Sequence, residues 1–144
     1  MVIATDTSFL FALYGNDSHS AKAAVWISTV ENPIWISAFN DFELRNAHRF
    51  SEFSKRIALG TSISHLALFE DALALGRLVH SNSNIATILS EANRLSLAHT
   101  LTGGHRGFDI LHVAAAKIIG ASHFLTFDAN QKKLAELEGF IVPL

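Results

Sequence analysis

The chain has no cysteine, only two prolines and one methionine, and no marked excess of either charge. Without cysteine, disulfides, thiolate metal sites and a cysteine nucleophile are excluded, and a reducing compartment is compatible with that absence. Scarce proline, set beside 49% hydrophobic and 17% charged residues, excludes the composition of a disordered chain. The 11 Lys+Arg and 13 Asp+Glu leave a net charge of -2, with an isoelectric point near 6.4. No global basic footprint therefore marks a nucleic-acid binder, and such binding must rest on local patches or on metal ions that invert the field of an acidic site. No stretch approaches the roughly 18 apolar residues of a membrane span, and the opening MVIATDTSFL lacks the basic segment of a signal peptide. The expectation is a soluble, cytoplasmic protein with no membrane association. A length of 144 residues suits one domain over 1–144, and a chain of that size buries roughly 68–70% of its unfolded surface. The mean hydropathy of +0.28 points to apolar surface that meets a partner.

Val2-Ile3-Ala4 reads as a short strand ended by Asp6-Thr7-Ser8, and Phe9, Leu10 and Leu13 then recur at helical spacing. Asn16-Asp17-Ser18 offers a cap for the next helix, and Asn32-Pro33 stops it before a second strand, Ile34-Trp35-Ile36. Ser37 leads into a helix over about 38–50 that carries Glu43. Residues 54–84 read as helices with Ala58, Leu59, Leu66, Leu68, Phe69, Leu73 and Leu75 as core candidates, and a short strand near 76–80. Ser81 to Asn84 forms a loop and cap for a helix over 85–101. The glycine-rich Thr102–Gly107 turn precedes Asp109 and an apolar helix over 110–119. A strand over 123–127 ends at Asp128, a helix covers 131–138, and Phe140-Ile141-Val142 makes a closing strand. Strands alternating with helices predict an α/β fold with a mainly parallel sheet, whose sites lie at the carboxyl ends of the strands.

That rule singles out Asp6 and Asp128, each directly after a strand, with Asp109 opening a helix and Glu43 within one. Four carboxylates in one partly desolvated cleft repel one another unless a divalent cation compensates, and oxygen-only ligands favour Mg²⁺ or Mn²⁺. Taken singly, each has a plainer use: Asp109 as a helix cap, Asp6 and Asp128 as turn residues, Glu43 as a solvated helix residue.

Together with their neighbours these residues carry a resemblance. Asp6-Thr7-Ser8, Ser37 with Glu43-Leu44-Arg45-Asn46-Ala47, the run from Gly104 to Ala114 around Asp109, and Phe124-Leu125-Thr126-Phe127-Asp128 resemble the ordered motifs of the PIN domain. The similarity is greatest to the VapC-like ribonuclease toxins of toxin–antitoxin pairs, and it spans nearly the whole chain. It implies a three-layer PIN-like α/β fold, in which a central, mainly parallel sheet is flanked by helices. It further implies a metal-dependent endoribonuclease with an Mg²⁺ or Mn²⁺ site formed by Asp6, Glu43, Asp109 and Asp128, an RNA substrate, a cognate antitoxin and a homodimer. A phosphodiester is anionic and resists water, so the chemistry needs charge neutralised on the phosphate and a nucleophile generated near neutral pH, which a carboxylate-held metal supplies. Asp6 and Asp109 are expected as direct metal ligands. The roles open to Glu43 and Asp128 are direct ligation, ligation through water, or acceptance of the nucleophile's proton.

Candidate substrate-binding residues are Ser8, whose hydroxyl, like that of Thr7, could bond a carboxylate or a phosphate or simply cap a helix, Asn46, one helical turn beyond Glu43, and Arg106, whose planar fork suits a phosphate. His112, three residues beyond Asp109 in an apolar helix, reads as a packed, hydrogen-bonded histidine. His99 and His105 lack zinc-site spacing. Arg45 and Arg49, with Lys55 and Arg56 nearby, form the best local patch for an RNA backbone. Two rival functions are a catalytically idle RNA-binding module of the same fold and an aspartate-based phosphotransfer protein. The second lacks an Asp-x-Asp pair at the first motif and a late lysine after a strand.

Overall fold

The computed structural model describes residues 1–144. Its elements are β1 (Ile3–Thr5), α1 (Thr7–Tyr14), α2 (Ser20–Ile27), β2 (Ile34–Ile36), α3 (Ala38–Phe53), α4 (Thr61–Ala74), β3 (Leu78–His80), α5 (Ile85–Gly103), α6 (Gly107–Ile119), β4 (His123–Leu125) and α7 (Ala129–Leu137). The four strands form one parallel sheet in the order β3-β2-β1-β4. Each strand has three residues, so the sheet is short and its apolar residues divide between two faces by simple alternation. Ile3, Ile34, Ile36, Leu78 and Leu125 pack under α1 to α4 with Phe9, Leu10, Leu44 and Phe69. Ala4 and Phe124 face the other way, against Ile88, Leu95, Val113 and Leu134 of α5 to α7. The result is the helix–sheet–helix sandwich that alternating strands and helices predict. No helix is long and apolar enough to cross a membrane.

Several local expectations change. The closing strand reduces to a single bridge between Ile141 and His123, because Gly139 at φ 90 ends α7 and turns the chain only briefly along the sheet edge. The cap of α2 is His19, while Asp17 builds the turn before it by accepting from the His19 N–H at 2.8 Å. Asp109 does not cap α6: the helix begins at Gly107, and the carboxylate lies in its first turn, where the helix dipole favours negative charge. Of the core candidates in the middle region, Leu66 and Phe69 are buried, whereas Leu59, Leu68 and Leu75 are exposed. The α4 helix presents only one narrow face to the sheet.

His99 and His105 serve packing and hydrogen bonding. Glu138 receives Lys117 Nζ at 2.6 Å, Arg94 Nη2 at 2.8 Å and His99 Nε2 at 2.6 Å, tying α5 and α6 to the end of α7. Burial opposes ionisation of Glu138, but these three donors outweigh it and hold its pKa down to about 2. His105 is buried beside Asn130.

His48 is fully buried, stacks on Phe11 at 4.6 Å, lies 5.2 Å from the His65 ring, and has no hydrogen-bond partner on either nitrogen. Burial, with His65 adding to it, pushes its pKa from 6.5 down to about 4. The unfolded chain then binds a proton below pH 6.5 that the folded chain refuses until about pH 4. Stability is accordingly lost as pH falls through that window. Replacing His48→Leu is expected to flatten this acid limb in urea denaturation run at successive pH values. An unchanged slope would assign the proton uptake to another group.

Candidate active site

In the strand order β3-β2-β1-β4, the chain lays β2 and β3 to one side of β1 and then crosses over to place β4 on the other, so the carboxyl ends of β1 and β4 border the switch point where α/β sheets open a crevice. Asp6 leaves β1 and Asp128 follows β4 by three residues. Both take a second role from the helices they introduce. Asp6 Oδ1 accepts from Phe9 N at 3.1 Å to cap α1, and Asp128 Oδ1 accepts from Gln131 N at 2.8 Å to cap α7. The turn-and-cap use of these two residues and their place at the sheet edge are the same geometry.

Asp6 is nearly inaccessible, at 2% exposure. Besides Phe9 N, its carboxylate accepts from Ser8 Oγ, 2.8 Å from both oxygens, and from Thr126 Oγ1 at 2.6 Å. Burial still wins: it raises the Asp6 pKa to about 6 against the lowering by Thr126, Phe9 N and Ser8. Asp109, half-buried, is also raised, first by burial and then by the Asp128 carboxylate, with the Arg106 guanidinium opposing and Glu43 adding to the rise. Glu43 behaves differently. Burial works against its charge, but hydrogen bonds from His112 and Thr7 outweigh it and the pKa falls.

The His112 contact defines a network. Asn40 Oδ1 accepts from the Ser37 backbone N–H at 2.8 Å, which fixes the amide's orientation. Its Nδ2 then donates to Thr5 O at 3.0 Å and to His112 Nδ1 at 3.2 Å. With Nδ1 accepting, the His112 proton sits on Nε2 and points to Glu43 Oε1 at 3.1 Å. Thus the end of β1, the cap of α3 and the buried face of α6 together hold one carboxylate oxygen. His112 is packed and hydrogen-bonded, as its apolar neighbours suggest.

All four carboxylates, with Ser8, line one cleft of about 450 Å³, whose wall also includes Thr7, Phe11, Asp17, His19, Ala47, Phe50, Ser51, Arg56, Phe127 and Gln131. Asn46 is absent from it and exposed. A step of four residues along a helix turns about 40°, one of three about 60° the other way, and here the cleft lies on the side of Ala47. Arg106 stands outside the wall, highly exposed, its Nε 3.9 Å from Asp109 Oδ2. Of the basic patch, Arg45 is tied up, binding Asp41 and Glu70 and lying over the Phe69 ring at 5.2 Å, whereas Arg49, Lys55 and Arg56 are exposed. Arg56 is the one Lys or Arg in the cleft wall. Thr126, Thr7 and Asn40 hold the acidic residues; the two threonines stand inside the motifs beside Asp6 and Asp128, whereas for Asn40 the N-cap-plus-three spacing from Ser37 was the only hint in the sequence.

No three His, Asp or Glu side chains stand close enough to make a ready-built cage for a metal ion. The donor set is nevertheless all carboxylate oxygen around a cleft with one cation in its wall, and Asp109 is destabilised by its acidic neighbours. A small hard dication that keeps several waters and needs only one or two direct carboxylates fits such a site.

Similar architectures occur in solved structures. The VapC20 toxin of Mycobacterium tuberculosis, a Sarcin-Ricin loop cleaving toxin, superimposes with a TM-score of 0.70 at 16% identity over 96% of each chain. PAE2754 of Pyrobaculum aerophilum gives 0.66 at 17% identity over 99% of this chain and 89% of that one. VapBC2 of Rickettsia felis, bound to a DNA fragment from their promoter, gives 0.64 at 18% over 99% and 97%. Among curated proteins no relative matches this sequence. The PIN domain family model matches residues 3–137. That match takes in nearly the full length, from the first residue of β1 to the last of α7, and the chain belongs to the PIN domain family.

Proposed function

We propose that the protein is a metal-dependent endoribonuclease that hydrolyses RNA phosphodiester bonds and acts as the toxin of a toxin–antitoxin pair. The observation that carries this reading is the convergence of Asp6, Glu43, Asp109 and Asp128 on one cleft at the sheet's switch point. An Mg²⁺ or Mn²⁺ ion held there by Asp6 and Asp109, with Glu43 and Asp128 bound directly or through water, would neutralise phosphate charge and lower the pKa of water. Hydrolysis forms a bond from a water oxygen to phosphorus and breaks the phosphorus–ester oxygen bond, whose electron pair leaves with the ester oxygen. A carboxylate must take the proton that water loses. Glu43 is suited to that task, since hydrogen bonds from His112 and Thr7 keep the group ionised in the cleft wall. Ser8 and Thr126 fix Asp6 in one orientation, and Ser8 also accepts from Phe127 N at 2.9 Å, coupling β1 to β4 across the site.

The toxin assignment draws on the likeness to VapC20, VapBC2 and FitAcB of Neisseria gonorrhoeae. A cognate antitoxin would cover the cleft, and a homodimer would bury part of the exposed apolar surface that includes Phe53, Leu59 and Ile63.

Purified protein freed of partner is expected to cleave single-stranded RNA with Mg²⁺ or Mn²⁺ and to stop in EDTA. Undiminished cleavage in excess chelator would remove the metal from the reaction, and intact RNA under all metal conditions would favour the idle binding module.

A further inference from the structure

The cleft wall contains an aromatic ladder that the carboxylate chemistry does not use. Phe9, fully buried under the sheet, stacks with Phe127 at 5.8 Å and 24°. Phe127 in turn stacks with His19 at 4.4 Å and 10°. The series runs from core to surface and ends on an exposed imidazole in the wall of the same cleft as the four carboxylates. The backbones that carry the two rings are tied down: Asp17 Oδ1 accepts from the His19 backbone N–H, while the Phe127 backbone N–H donates to Ser8, whose hydroxyl donates to Asp6. Phe127 also lies between Thr126, which binds Asp6, and Asp128. A flat ring with one face covered by Phe127 and fixed to the acidic centre suits a planar ligand, and an unpaired nucleobase is the planar group that a single-stranded RNA brings.

We propose that His19, backed by Phe127, is a stacking platform for one unpaired base of the RNA, holding the adjoining phosphodiester at the carboxylates, with Arg56 in the same cleft wall available to a neighbouring phosphate. This rests on the ribonuclease reading and makes His19 a positioning residue within it. A preference for unpaired RNA would follow from the ladder, because a base inside a duplex has its faces covered by its stacked neighbours.

The test compares wild type, His19→Ala and His19→Phe on an unstructured oligoribonucleotide containing 2-aminopurine, whose fluorescence is quenched on stacking. Quenching is read by stopped flow in Mg²⁺ before turnover, and steady-state cleavage is measured in parallel. Wild type should quench. The His19→Ala protein should lose the quenching and raise KM by about tenfold or more with kcat nearly unchanged. His19→Phe should restore both, and affinity for a fully paired RNA should not respond to either change. Equal quenching and KM in His19→Ala would overturn the proposal, as would a lower kcat and melting temperature at unchanged KM, the mark of a purely structural ring. Unaltered RNA binding with weakened capture of an arginine-bearing peptide would assign the ring to a protein partner and also overturn it. Wild type that quenches without cleaving would sustain the platform while removing the nuclease reading.

Discussion

Asp6→Asn is expected to lower RNA cleavage by several orders of magnitude while leaving the metal-free protein at least as stable as wild type. The two effects have one origin. Asp6 is a buried carboxylate kept in place by Phe9 N, Ser8 and Thr126, and its pKa of about 6 means that its ionised form is disfavoured in the fold. Above pH 6 the wild type carries that cost in full; as pH falls from about 6 to 3.8, the folded chain takes up a proton before the unfolded chain does and the cost disappears. Asparagine keeps an oxygen for the Phe9 N–H, so the α1 cap survives, and the Thr126 hydroxyl can turn to accept from the new amide. The variant should gain about 1–3 kcal/mol over wild type above pH 6, with the difference vanishing near pH 4. Activity falls because a neutral amide is a poor ligand for a hard cation. Urea denaturation at several pH values together with RNA cleavage checks both halves. A strongly destabilised Asp6→Asn protein would make Asp6 a structural cap before anything else.

His112→Ala should show the opposite pattern, a large loss of stability with a smaller loss of activity. The ring is almost completely buried and joins Asn40, Thr7 and Glu43, so its removal opens a cavity and leaves the Asn40 amide and the Thr7 hydroxyl short of a partner. The combined cost is about 2–4 kcal/mol. Glu43 then loses the N–H that orients it, and cleavage should drop by about tenfold to a hundredfold, the usual effect of freeing a positioned carboxylate. The pH profile separates this from simple unfolding. Without His112 the Glu43 pKa rises, and the acid limb of activity moves to higher pH in whatever fraction remains folded. A stable His112→Ala protein with an unmoved acid limb would show that the Ser37–Asn40–His112 chain does not govern Glu43.

The parallel sheet and its carboxyl-end acidic residues were legible because β1, β2 and β4 are each a short apolar run with a sharp polar exit, and a period of two or of 3.6 leaves little ambiguity there. The hydroxyls of Ser8 and Thr7 beside Asp6 could be read as partners for a carboxylate, but the long-range pairings that hold the site could not. Thr126 reaches Asp6 from 120 positions away, and Asn40 reaches His112 across 72; neither distance leaves a periodic trace. Asn46 failed as a cleft residue for a narrower reason, since one helical turn names two candidates and the fold chose Ala47. In α4 and its cap the apolar runs Leu66-Ala67-Leu68-Phe69 and Ala72-Leu73-Ala74-Leu75 concealed which face was inward, so Leu68 and Leu75 looked as buried as Phe69. The His19 ladder joins the N-terminus of α2 to the loop after β4, a pairing that only the sheet order creates.

The central claim, that these carboxylates form a site for a hard divalent cation, is tested most directly by titrating the protein with Mn²⁺ and counting free ion by electron paramagnetic resonance. Wild type should bind Mn²⁺ saturably and release it to excess Mg²⁺, and the Asp6→Asn/Asp109→Asn double variant should bind far more weakly while retaining its fold by circular dichroism. Saturable binding of wild-type strength in that folded double variant, or none in the wild type at millimolar Mn²⁺, would contradict it.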